Sequence, residues 1–246
     1  MNLPNAITVG RIASTPLIAV LPFLDSWPLR MVAFVLYLAA AITDYYDGML
    51  ARTRGLVTDL GKQLDPLADK LLLVGTLVPM YLLAGSGRAL SLASPHRTPL
   101  FPDAVGPMLR EGATQATAAF PFLTPLGPVG FPLWMLVVVI GRELFMTIFR
   151  SAAARRGVII SAIGPAKWKT GFQSTWVGCA YFWFFAATLA ARYRWDALPW
   201  RAFAWFNGIC GTLSMAGAVF LTLYSLWLYM RRYGGLFVGG EGRVRG

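Results

Sequence analysis

The sequence predicts an all-α integral membrane protein of six transmembrane helices, and three observations carry that prediction. Apolar residues fill 57% of the 246 positions and charged residues only 13%, against about 45–50% and about 25% in an ordinary soluble domain. The mean hydropathy is +0.57. The apolar residues are gathered into six runs close to the roughly 20 residues a helix needs to cross the hydrocarbon core.

The first run, about 8–25, is short and ends near Asp25. The opening Met1-Asn2-Leu3-Pro4-Asn5 has no basic stretch followed by a cleavable apolar core, so the first span is expected to act as its own insertion signal. The second run, about 29–52, carries Asp44 and Asp47 towards its C-terminal end, and the third, about 61–85, carries Asp65 and Asp69 towards its N-terminal end. The connection from 53 to 60 is short, so these two helices are expected to be antiparallel neighbours. A stretch at about 86–130, rich in Gly, Pro, Ser and Thr, follows. It reads as a non-cytoplasmic loop insertion with one short surface helix around 104–112 and no catalytic role. The remaining runs lie at about 131–155, 167–191 and 201–230. The whole chain, 1–246, is read as a single membrane-embedded catalytic domain.

The net charge is +11. No basic, aromatic-interleaved soluble segment is available to serve nucleic acid, and the cations flank apolar runs, where they face anionic lipid. With both termini on one side, the 22 Lys and Arg residues divide 15 to 7 in favour of the side that also holds the aspartates. The excess predicts a multi-pass protein of the inner (plasma) membrane with its termini and aspartates in the cytoplasm. In that tally Arg11 falls on the aspartate side and Arg30 on the opposite side, and some of the fifteen are expected to be site residues and not loop charges. Cys179 and Cys210 lie in apolar runs and read as small core residues. The single histidine, His96, sits in a polar loop, so a general base has to be sought among the carboxylates.

The functional signal is Asp44-x-x-Asp47-Gly48-x-x-Ala51-Arg52, eight further residues, then Gly61-x-x-x-Asp65-x-x-x-Asp69. In the second run Asp44, Asp47, Gly48, Ala51 and Arg52 share one helical face. In the third, Gly61, Asp65 and Asp69 do the same. Four carboxylates beside a bilayer are costly and mark a functional site. Hard divalent cations are their natural partners. Snorkelling acids are one reading. Ion translocation is another, although it favours midplane acids on discontinuous helices. Two-metal chemistry on a phosphorylated substrate is the third, and Arg52 beside the acids suits a phosphate.

The run Asp44-Tyr45-Tyr46-Asp47-Gly48-Met49-Leu50-Ala51-Arg52 through Gly61-Lys62-Gln63-Leu64-Asp65-Pro66-Leu67-Ala68-Asp69 resembles the complete signature of the CDP-alcohol phosphatidyltransferases. The resemblance implies a six-helix bundle of that family's type. It also implies two Mg²⁺ or Mn²⁺ ions and transfer of a phosphatidyl group from a CDP-linked lipid to an alcohol with release of CMP. Carried over by position, Asp44, Asp47, Asp65 and Asp69 would bind the metals. Asp69 would also be the catalytic base. Gly48, Ala51, Arg52 and Gly61 would meet the nucleotide and diphosphate. The opening Leu3-Pro4-Asn5-Ala6-Ile7-Thr8-Val9-Gly10-Arg11 also resembles the family's start, which puts Asn5 and Thr8 near the nucleotide; a helix cap is the alternative for both.

Leu64–Lys70, then Gly141-Arg142-Glu143-Leu144, then Lys167-Trp168-Lys169-Thr170 resemble the branch of that family whose acceptor is sn-glycerol 3-phosphate, the phosphatidylglycerophosphate synthases. The implied reaction joins CDP-diacylglycerol and sn-glycerol 3-phosphate. A phosphorylated acceptor needs cations. Arg142 and Arg150 share a face of the fourth run, and Lys167 and Lys169 open the fifth. The alternatives are an ion pair of Arg142 with Glu143 or an aspartate, and simple topology for the lysines. The resemblance covers about 1–85 and 131–175 and leaves the last span unmatched. It implies a homodimer in contact with membrane lipid. A cardiolipin synthase using phosphatidylglycerol, an inositol-phosphate acceptor and a membrane cation transporter are the other functions considered.

Overall fold

The computed structural model describes residues 3–24, 26–53, 59–85, 122–158, 160, 164–193 and 198–234. Among the described residues there are six α-helices: α1 (Leu3–Val20), α2 (Trp27–Thr53), α3 (Asp59–Gly85), α4 (Leu133–Arg155), α5 (Gly164–Tyr193) and α6 (Leu198–Tyr233). A 3₁₀ turn, Leu21–Phe23, follows α1, and a small antiparallel hairpin of β1 (Phe122–Thr124) and β2 (Gly127–Val129) precedes α4. The chain is an all-α membrane protein with that one hairpin added. Helices α1, α2, α3 and α6 each contain a segment long and apolar enough to cross a membrane. Helices α4 and α5, of 23 and 30 residues, are long enough at about 1.5 Å per residue. Helix α4 carries the three charged residues Arg142, Glu143 and Arg150, and α5 opens on Lys167 and Lys169.

Large apolar side chains face outwards: Val137, Ile148, Leu213 and Phe220 are all well exposed. That is the distribution expected where the surroundings are hydrocarbon and the backbone is satisfied within each helix. Packing inside depends on shape. Helix α1 lies against α2 and α3, α2 lies against α5, and α6 lies against α4 and α5. On α3, a Cβ at Gly75 would stand 2.6 Å from Thr15 Cγ2 of α1, so only glycine permits this approach. At the centre Tyr37 of α2 stacks on Tyr181 of α5 with ring centroids 5.5 Å apart. Both rings are buried, and their hydroxyls donate to backbone carbonyls, Tyr37 to Ser174 at 2.8 Å and Tyr181 to Ile18 at 3.2 Å. A buried hydroxyl is costly without such a partner.

Several expectations need correction. The first helix starts at Leu3 and ends at Val20, five residues before the expected 8–25 at both ends. Asn5 and Thr8 therefore stand within α1 as buried residues. Helix α3 continues through Pro66, although Pro66 has no N–H for the carbonyl four residues back. The end of the expected 86–130 loop is the hairpin. Its Phe122 is buried against α6, where Gly211 leaves room for the ring. Phe131 meets Trp176 edge-on at 4.9 Å and Tyr81 at 5.9 Å. The expected surface helix at 104–112 lies outside the described residues. Arg30 is not a loop charge: it is buried, its Nε donates to the Pro22 carbonyl at 3.0 Å, and its guanidinium bonds Thr188 on α5. It thereby fixes the 3₁₀ turn.

Candidate active site

Helices α2 and α3 present Asp44 and Asp69 to one cavity of about 160 Å³. The same cavity is lined by Lys70 and Thr76 of α3, by Glu143 of α4 and by Lys169, Thr170 and Gln173 of α5. Tyr37 and Val177 help close its apolar depth. Asp69 stands beside Asp44, within hydrogen-bond reach.

Helix α1 makes the third side of the acidic cluster. Thr8 Oγ1 donates to Asp65 Oδ1 at 2.9 Å. One turn further along α1, Arg11 forms an ion pair with Asp44, and its Nη1 is 3.6 Å from Asp69 Oδ1. The Arg11 side chain is only 1% exposed. This arginine, counted in sequence as a topology marker, belongs to the site. Its spacing of three from Thr8, which puts both on one helical face, was the available signal. Asn5, three residues before Thr8, is buried on the same helix. Gly61 is buried on α3. Asp47, Gly48, Ala51 and Arg52 lie on α2, and Lys167 lies in the first turn of α5; their side chains fall outside the described residues.

Among the described residues no three acidic, His or Cys side chains form a group that could hold a metal. The donor chemistry nevertheless suits a hard divalent ion. Asp44, Asp65 and Asp69 offer only oxygen, and the signature adds a fourth carboxylate at Asp47. Arg11 supplies a single positive charge to this set, which stays acidic.

Glu143 and Lys169 line the cavity from α4 and α5, and Arg142 and Arg150 stand outside its lining. The same Glu143 oxygen, Oε1, accepts from Arg142 Nη1 at 2.9 Å and from Lys169 Nζ. Arg142 and Lys169 are each only 6% exposed. Arg142 Nη2 donates to Ser225 Oγ at 3.0 Å, and Arg150 Nη2 donates to the Tyr229 hydroxyl at 3.2 Å. Both guanidiniums stand over the Tyr229 ring, at 6.0 and 5.6 Å from its centroid. The ion pair of Arg142 with Glu143, the alternative to an anion partner, is therefore formed. Ser225 and Tyr229 come from α6, the helix without motif resemblance. Their spacing of four places them on one face.

The CDP-alcohol phosphatidyltransferase family model matches residues 1–93 and 113–224 of the chain. Over 81 residues the chain is 48% identical to a protein of Rickettsia bellii named CDP-diacylglycerol–glycerol-3-phosphate 3-phosphatidyltransferase, covering 33% of this chain and 44% of that protein. Over 240 residues it is 29% identical to an Arabidopsis thaliana protein, chloroplastic/mitochondrial, of the same enzyme name, covering 94% of this chain and 62% of that one. It is 30% identical over 240 residues to a rice protein named cardiolipin synthase (CMP-forming), covering 94% of this chain and 57% of that one. The chain thus spans less than two thirds of the length of each of these relatives.

Proposed function

We infer the reaction from one premise: this chain belongs to the CDP-alcohol phosphatidyltransferase family. The proposed reaction transfers a phosphatidyl group from CDP-diacylglycerol to sn-glycerol 3-phosphate, giving phosphatidylglycerophosphate and CMP. The observation that carries this reading is a single cavity with Asp44 and Asp69 on one wall and Glu143 and Lys169 on the other. Acid and base chemistry, and cations for a phosphorylated acceptor, meet within reach of one small substrate.

The Asp69 carboxylate accepts the proton of the acceptor hydroxyl. The freed oxygen attacks the lipid-bearing phosphorus. The bond from that phosphorus to the bridging oxygen breaks, and CMP leaves with the electron pair. Asp44, Asp47, Asp65 and Asp69 would hold two divalent cations, Mg²⁺ or Mn²⁺, which when bound draw charge from the diphosphate and favour its departure. Asn5, Thr8, Gly48, Ala51, Arg52 and Gly61 receive the nucleotide and diphosphate. Arg142, Arg150, Lys167 and Lys169 receive the acceptor phosphate. Arg11 holds Asp44 in register with Asp69. The Lys and Arg excess supports a cytoplasmic site in the inner membrane, and the family resemblance supports a homodimer.

Purified protein with Mg²⁺, CDP-diacylglycerol and radiolabelled glycerol 3-phosphate should release CMP and label a lipid. A second reading has the rice relative's name behind it: phosphatidylglycerol as acceptor. Turnover with phosphatidylglycerol and none with glycerol 3-phosphate would establish that reading in place of the first. Metal flux in liposomes without any dependence on CDP-lipid would instead point to a transporter.

A further inference from the structure

Glu143 faces a charge imbalance. Arg142, Lys169 and Arg150 stand together, the first two buried and Lys169 the one of the three that lines the cavity, and Glu143 is the acid bonded to Arg142 and Lys169. Arg142 and Arg150 share the Tyr229 ring. Buried cations need an anion or a hydrogen-bond partner for each donor. Arg142 Nε is buried with no hydrogen-bond partner. Against the one charge of Glu143, the buried Arg142 and Lys169 leave an excess of one, and the exposed Arg150 adds a second that solvent partly screens. A phosphate monoester, which carries about −1.5 to −2 at neutral pH, closes that excess. A phosphodiester with one charge meets the buried excess and leaves Arg150 without a share.

We propose that Glu143 is a positioning residue that holds Arg142 and Lys169 side by side on one oxygen, and that this arrangement selects an acceptor bearing a phosphate monoester. The proposal rests on the phosphatidyl-transfer reading above. Glu143 stays in place when the acceptor arrives. If it left, it would stand as an uncompensated acid beside Asp44 and Asp69 in the same cavity. Without its charge, the ammonium and the guanidinium repel each other, and the lysine's flexible stem lets Nζ move towards water. The two donors then no longer converge on one phosphate.

The test is steady-state kinetics of detergent-purified Glu143→Gln and Glu143→Asp, varying each substrate in turn, with calorimetric binding of glycerol 3-phosphate as a second readout. Glu143→Gln should raise the KM for glycerol 3-phosphate by about tenfold or more. It should weaken binding by the same factor and leave the KM for CDP-diacylglycerol within about twofold. Glu143→Asp, which keeps the charge on a shorter stem, should fall between wild type and Gln. If Gln does not fold, a raised acceptor KM in Asp alone carries the same meaning. An acceptor KM unchanged or lowered, or both KM values raised alike, overturns the proposal. Wild-type enzyme inactive with glycerol 3-phosphate defeats the parent reading instead.

Discussion

Arg11 of α1 forms an ion pair with Asp44 of α2. The arginine side chain is almost fully buried while the carboxylate is 42% exposed, so the pair joins the interior of the bundle to the open cavity. Arg11 also reaches towards Asp69 of α3 at 3.6 Å. One guanidinium thus ties three helices at the level of the acids. Breaking a buried pair costs about 3–5 kcal/mol, but the exposed acid is screened by solvent. Arg11→Ala should therefore cost roughly 1–2 kcal/mol and lower the midpoint of thermal unfolding by roughly 2–8 °C. CMP release should fall at least about tenfold, because Asp44 and Asp69 lose their common tether. Arg11→Lys should recover part of both. A variant with wild-type melting and turnover would reject this role.

On the proposed reading, divalent cations should bear on stability as well as turnover. A ligand that binds the folded state alone adds about 2.7 kcal/mol at a hundred times its dissociation constant. Wild-type protein should melt at higher temperature as Mn²⁺ or Mg²⁺ is titrated in, and chelation should abolish CMP release until either ion is restored. Asp44→Asn should blunt the thermal shift. Full activity in excess chelator would contradict the assignment of the four aspartates.

Asp69→Asn tests the proposed base apart from the scaffold. The loss of a positioned general base costs about 10²–10⁴-fold, so CMP release should drop by that range. Stability should not fall. Asp69 stands beside Asp44, and deleting one of two neighbouring negative charges relieves repulsion. Circular dichroism and thermal melting of the variant should match or exceed wild type. Undiminished turnover would move the base elsewhere.

The residues of the site are unevenly visible in sequence. Asp44 on one face of α2, and Asp65 and Asp69 on one face of α3, are legible because such spacing beside apolar runs has few meanings. The six helices were legible because hydrocarbon imposes a minimum length. A count of flanking charge assigns Arg11 and Arg30 to sides of the membrane and says nothing of what either side chain meets. Nothing in a linear pattern tells an arginine that pairs inward from one that faces lipid headgroups. Ser225 and Tyr229 were hidden because their meaning depends on which face of α6 meets α4, a tertiary fact. Glu143 stood in plain view as a partner for Arg142, but its second bond, to Lys169, needs α4 and α5 brought together. The hairpin was read as loop because its strands are three residues each, too short for any alternation to register.

That hairpin carries the last prediction. Phe122 is 1% exposed and its ring fills the space that Gly211 leaves on α6. Phe131, just beyond β2, is buried against Trp176 and Tyr81. The segment behaves as a stopper wedged into the bundle, and neither ring lines the cavity that holds Asp44 and Asp69. Truncating a buried phenylalanine costs about 3–5 kcal/mol. Phe122→Ala should therefore lower the thermal midpoint by roughly 6–20 °C, while the folded enzyme keeps its KM for both substrates. Gly211→Ala should produce a similar loss from the opposite direction, since a Cβ there would run into the ring. Melting curves identical to wild type for both variants would mean that the hairpin is not part of the packed bundle.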